Sequence, residues 1–197
     1  MKNFIIAFFL FSALFAHAQS RFQAEPGLLQ SKASVSVNIH QCSLPTGNGD
    51  ADQRILGVKV YSSDNTTALT QVAVKMTGTT SISDVSAVKL YFTADSNRFF
   101  TGAGSALLDT EIPSAGTISL SCNQALMADT NYFWIVYDVS STAVEGHQLD
   151  AIVDSVVVSG SAYTATNQSG ARTILLTNSL LFSCNDAGSK NYRIPAI

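Results

Sequence analysis

The chain has 197 residues, 46% of them hydrophobic and only 13% charged, with a formal charge of −3. That is enough apolar material for one well-filled core, or for one domain and a short remainder. Eleven Lys and Arg stand against fourteen Asp and Glu, with no basic run. This argues against nucleic acid as a partner, because phosphate binding draws on clustered cations.

In chain order, Lys2, the apolar run Phe4 to Phe15 and Ala16-His17-Ala18 read as an export signal cut before Gln19. The run is short for a bilayer span. Residues 1–18 are therefore a signal peptide, no membrane span remains after cleavage, and the protein is expected to be secreted or periplasmic. Loss of Lys2 leaves ten basic residues against fourteen acidic, a mature charge of −4. Residues 19–32 read as a polar lead-in. Three cysteines, Cys42, Cys122 and Cys184, admit one disulfide and leave one thiol over. Their spacing selects no pair, and it is neither that of a zinc site nor that of a redox motif.

From Ala33 the pattern has period two. Val35, Val37 and Ile39 alternate with Ser34, Ser36 and Asn38, as in a half-buried strand. Leu44 to Gln53 is a loop broken by Pro45, Gly47 and Gly49. Further strands are predicted at Arg54–Ser62, Ala68–Thr77, Ala87–Ala94, Gly116–Ser121, Asn131–Val139 and Leu149–Ser159, with a shorter one at Arg172–Leu176. Helical periodicity is missing. Segments rich in Val, Ile, Thr and Tyr with short polar breaks predict an all-β fold, a β-sandwich of jelly-roll or Ig-like type, over residues 33–176.

Candidate sites are few. Tyr132 and Trp134 point to one face of their strand, and Phe133 and Tyr137 to the other. One aromatic face is core; the other is either covered by packing or a platform on which a sugar ring could stack. Phe99-Phe100 beside Asn97 and Arg98 is a second candidate platform. Asn48, Asp50 and Asp52 alternate as calcium-loop ligands do, but Gln53 and Lys59 stand where that loop needs Gly and Glu. They read as a solvated turn, and no metal or cofactor is expected. His40 and His147 are isolated in sequence.

Near Asn178 the character changes. Ser179 to Phe182 reads as a short strand, Asn185 to Ser189 as a loop, and Tyr192 to Ile197 as a second strand. The stretch from Leu181 to Ile197, with Tyr192-Arg193-Ile194-Pro195 at its centre, resembles the opening of the catalytic propeller of bacterial exo-α-sialidases (neuraminidases of the BNR, or Asp-box, type). Residues 33–176 resemble the β-sandwich that precedes that propeller in some members. The softer signatures here are Ile55-Leu56-Gly57-Val58, Asn131 to Asp138 and Gly146 to Ala151.

The resemblance implies that residues 177–197 begin a truncated propeller, and that Arg193 is the first of three arginines that grip the carboxylate of sialic acid. A guanidinium suits that role because it pairs with a carboxylate bidentately. It also implies that the parent hydrolyses terminal sialic acids from sialylated glycoconjugates, through a Tyr nucleophile. The departures are large. Arg21, Arg54, Arg98 and Arg172 all precede the motif, no Asp box occurs, and Trp134 is the sole Trp. Nucleophile, acid/base and the two further arginines are not found, so this polypeptide is expected to be inactive and accessory. A carbohydrate-binding or spacer module is the alternative reading.

Overall fold

The computed structural model describes residues 33–175. The export signal, the lead-in, the domain boundary near residue 176 and the segment 177–197 lie outside the described residues.

Twelve strands and one short 3-10 turn form the described chain, and no helix in it is long and apolar enough to cross a membrane. One sheet has five strands in the order β1 (Val35–Gln41), β3 (Gln53–Ser62), β8 (Asp129–Val139), β5 (Val85–Phe92) and β6 (Ala106–Glu111). A second has four, in the order β11 (Ser161–Tyr163), β10 (Ile152–Val158), β4 (Ala68–Lys75) and β7 (Thr117–Ala125). A small sheet of β2 (Thr46–Gly47), β12 (Arg172–Leu175) and β9 (Gln148–Leu149) forms a third group. All pairings in the two large sheets are antiparallel. This is the β-sandwich that the alternating pattern predicts.

The alternation decides what is buried. Leu56, Val58 and Val60 of β3, Phe133, Ile135 and Tyr137 of β8, and Val88 and Leu90 of β5 turn inward from the first sheet. Leu69, Val72 and Val74 of β4, Ile118 and Leu120 of β7, and Val153, Val156 and Val158 of β10 face them. Most of these side chains are completely buried. Each contributes about 1.5–3 kcal/mol by leaving water. Tyr137 belongs to this core and donates its hydroxyl to the Asp150 carbonyl at 3.2 Å. Burial holds that phenol well above its ordinary pKa.

Three strands lie outside the sequence-based expectation, and one expected strand is divided in two. β6 was not expected, because none of its residues is buried and its sequence carries no apolar row. β2 and β11 have two and three residues, too few for any period to register. The long strand expected at Leu149–Ser159 is divided into β9 and β10. The division falls at Asp150, whose carbonyl accepts the Thr79 and Tyr137 hydroxyls and whose N–H donates to Thr79 Oγ1. In β3 a bulge between Arg54 and Leu56 buries both Ile55 and Leu56 and turns Arg54 to the outer face. Cys42 is buried and disulfide-bonded, whereas Cys122 is a free, half-buried thiol that burial holds above its ordinary pKa.

Candidate functional site

The outer face of the five-stranded sheet carries the most distinctive surface. Pairing register sets three rows across it. Ser36, Tyr61 and Thr130 form one, Asn38, Lys59 and Tyr132 the next, and His40, Gly57, Trp134 and Tyr91 the third. Asn131, fully buried, fixes the start of β8: its amide oxygen accepts the Met127 N–H, and its amide nitrogen donates to the Met127 and Asp129 carbonyls.

The chain leaving β5 folds over this face. Tyr132 N–H donates to the Ala94 carbonyl at 2.8 Å, and Thr93 N–H donates to the Tyr132 carbonyl at 3.0 Å. Ala94 takes a left-handed conformation, φ 54°, which turns the chain back across the strands. Thr93 Oγ1 accepts the Trp134 indole N–H at 2.8 Å and donates to the Ser96 carbonyl at 2.7 Å. Phe99 then packs on Tyr91 and Trp134, with ring centroids 5.4 and 6.0 Å apart. These contacts bring Asn97 and Arg98 over β1 and β3.

The result is a cleft of about 490 Å3 lined by Asn38, His40, Gly57, Lys59, Asn97, Arg98, Tyr132 and Trp134. That is within the usual range for small-molecule sites, about 300–1,000 Å3. The two β8 aromatics have different parts in it. Trp134 is only 3% exposed. Its ring lies nearly parallel to Tyr132, 13° between planes and 6.3 Å between centroids, and the Arg54 guanidinium sits 5.0 Å from its centroid. Gly57 makes room for it, since a Cβ at that position would come 2.9 Å from Trp134 Cζ3. Trp134 is thus the base of the cleft, and half-buried Tyr132 is the ring available to a ligand. Three of the eight lining residues, His40, Lys59 and Arg98, carry basic side chains, and none carries a carboxylate.

Polar clusters brace the surroundings. On the same outer face Lys89 pairs with Asp52 at 2.9 Å and Asp138 at 2.7 Å, and Tyr91 donates its hydroxyl to Asp52 at 3.0 Å. Burial opposes the Lys89 charge, but the hydrogen bonds to Asp138 and Asp52 outweigh it and hold the ammonium above its ordinary pKa. Arg172, 2% exposed, donates to the carbonyls of Leu44, Arg54 and Pro45 and to Gln53 Oε1, at 2.7–2.9 Å. Burial, with Arg54 nearby, lowers its pKa to about 10.

The sequence-based candidates fall out as follows. Tyr132 and Trp134 share the outer face, while Phe133 and Tyr137 are core. The second candidate platform is the same place: Asn97 and Arg98 line the cleft and Phe99 packs beneath it, whereas Phe100 is 37% exposed. His40, isolated in sequence, lines the cleft. His147 is not isolated in space, because its Nδ1 lies 2.8 Å from the buried Asp84 carboxylate. Asp50 accepts the Gly47 N–H, and Asp52 serves Lys89 and Tyr91, so the alternating acids are turn and brace residues. Among the described residues no cluster of His, Cys, Asp or Glu is placed to hold a metal. Arg193 lies outside the described residues. Asn38 and Lys59 were missed; the only signal for them is their outward position on strands flanking Tyr132.

The comparisons with known proteins agree with this architecture. No curated protein matches the chain. Among solved structures the fold is similar to that of the Hadza microbial sialidase Hz136, with a TM-score of 0.61 and 16% identity, over 70% of this chain and 31% of that one. The chain therefore spans about a third of the sialidase it matches, and at that identity the likeness is one of fold. The family model for the N-terminal domain of BNR-repeat neuraminidase matches residues 34–162, which takes in both large sheets and the cleft. The chain belongs to the family of N-terminal domains of BNR-repeat neuraminidases.

Proposed function

We propose that this domain is the accessory glycan-binding module of an exported exo-α-sialidase that releases terminal sialic acids from glycoconjugates. The observation that carries the binding role is the cleft over Tyr132, with an aromatic ring inside and hydrogen-bonding groups at its rim. Sugars are bound by that combination, the ring meeting C–H faces and the rim meeting hydroxyls. Holding the parent enzyme on a glycan surface raises the local concentration of substrate without altering the chemistry. In the parent, Arg193 binds the substrate carboxylate in the catalytic domain, and this chain by itself is inactive. A spacer role is the second reading, favoured by the near-complete burial of Trp134.

The test uses the full chain. Because Trp134 is the sole Trp and lines the cleft, its emission reports directly on occupancy. Titration with sialylated and galactose-terminated oligosaccharides should change that emission saturably, and no sialic acid should be released from a fluorogenic sialoside. A flat titration with every glycan rejects the binding role in favour of the spacer. A coding sequence past codon 197 without Asp boxes or further arginines rejects the sialidase parent.

A further inference from the structure

The fold narrows the cysteine pairing to one choice. Cys42 is disulfide-bonded, Cys122 carries a free thiol, and the chain has three cysteines. The strand order excludes Cys122 as the partner of Cys42 on independent grounds. Cys42 follows β1 and continues its pairing, its N–H donating to the Ile55 carbonyl of β3 at 3.0 Å. β1 is one edge of the five-stranded sheet and β6 is the other. Cys122 belongs to β7, the edge strand beside β6, where the Ser121 N–H donates to Asp109 of β6 at 2.6 Å. Four strand spacings, about 19 Å, separate β1 from β6, whereas bridged cysteines need Cα atoms within about 7 Å. The Cys122 thiol is also engaged elsewhere: it donates to the Leu69 carbonyl at 3.3 Å and packs against the core. Cys184 has the reach to Cys42. Leu175 of β12 pairs with Gly47 of β2, and Arg172 donates to the Leu44 and Pro45 carbonyls, so β12 ends beside the loop that starts at Cys42. Nine residues lead from Leu175 to Cys184, up to about 30 Å of extended chain.

We infer that Cys42 and Cys184 form the disulfide, and that it ties the chain leaving β12 back to the end of β1. Thiol–disulfide exchange with a protein or small-molecule disulfide makes the bond: the two protons and two electrons given up by the thiols reduce that oxidant to two thiols. The ring so closed contains the pairing of Thr46 with Ile174 and the Arg172 fork on Leu44 and Pro45. The exit from the sandwich is therefore a braced junction, not a free linker. That this junction leads into a catalytic domain rests on the sialidase reading; the pairing itself does not.

Trypsin separates the three cysteines, placing Cys42 in peptide 33–54, Cys122 in 99–172 and Cys184 in 173–190. The full chain, purified from an oxidising compartment, is denatured without reductant in iodoacetamide, digested and read by mass spectrometry. Peptide 33–54 should appear joined to 173–190, with Cys122 carbamidomethylated, and dithiothreitol should separate the joined pair. Cys184→Ser should lower the thermal midpoint by roughly 5–15 °C, the scale of a cross-link closing a loop of this length. Cys42→Ser should do the same and the double variant should fall no further, because both remove one bond. Peptide 33–54 joined to 99–172 or to a second copy of itself, 99–172 joined to 173–190, or all three cysteines carbamidomethylated overturns the pairing. The mapping uses the unaltered chain, so it decides the pairing even where a variant does not fold. A midpoint unmoved by Cys184→Ser overturns the bracing role.

Discussion

Replacing Gly57 with Ala drives a methyl group into Trp134. The added Cβ would stand 2.9 Å from Cζ3 and 3.3 Å from Cε3 of the indole. The ring has no easy retreat. Its N–H is held by Thr93, Phe99 packs against it, and Arg54 lies over its face. Overpacking of this kind costs about 1–3 kcal/mol, or roughly 4–12 °C in Tm for a domain of this size. The sign is informative, because Gly to Ala at an unstrained position ordinarily stabilises by about 0.4–1 kcal/mol through the unfolded chain. Thermal unfolding gives the magnitude, and the emission of the sole Trp gives the place, with a red shift expected as the ring is displaced toward water. A raised Tm with unchanged emission would refute the packing argument and with it the assignment of Trp134 as the base of the cleft.

Arg172→Met should lower stability by about 3 kcal/mol or more, read as a reduced urea midpoint. It strips three backbone carbonyls and Gln53 of a buried, charged donor, each worth about 1–3 kcal/mol. Arg172→Lys should restore only part of it, since an ammonium cannot span the fork. Lys89 titrates above its ordinary 10.5 in the fold, so its pairs with Asp138 and Asp52 contribute fully below that pH and fade as pH rises through the higher folded value. The Tm difference between the wild type and Lys89→Met should therefore be constant from pH 7 to 9.5 and shrink above pH 10.5. A difference that stays flat to pH 12 would remove the ion pairs from the account.

Much of the sandwich was legible along the chain. Val72 and Val74, or Phe133 and Tyr137, mark their inward faces by alternation, because a strand exposes successive side chains to opposite sides whatever its neighbours are. Strands without that contrast escaped. β6 has no fully buried residue, and β9 and β10 look continuous because the break at Asp150 is made by Thr79 and Tyr137, some seventy and thirteen residues away. The site was half legible. Tyr132 and Trp134 stood out as aromatics on one face, and Asn97 to Phe100 as a separate possibility. Nothing local joins the two, and nothing local distinguishes a Trp buried as a base from one offered to a ligand.

Composition and periodicity by themselves determined an all-β chain, its inward rows and the aromatic face of β8, since apolar burial is written residue by residue. Only the tertiary structure decided that Asn38, His40, Lys59, Asn97 and Arg98 surround that face. Their meeting depends on the pairing register, on the bulge that turns Arg54 over Trp134, and on the left-handed turn at Ala94 that lays the β5 exit across the sheet. Register and chain reversal are properties of strands paired at long range, and no window of local sequence contains both partners.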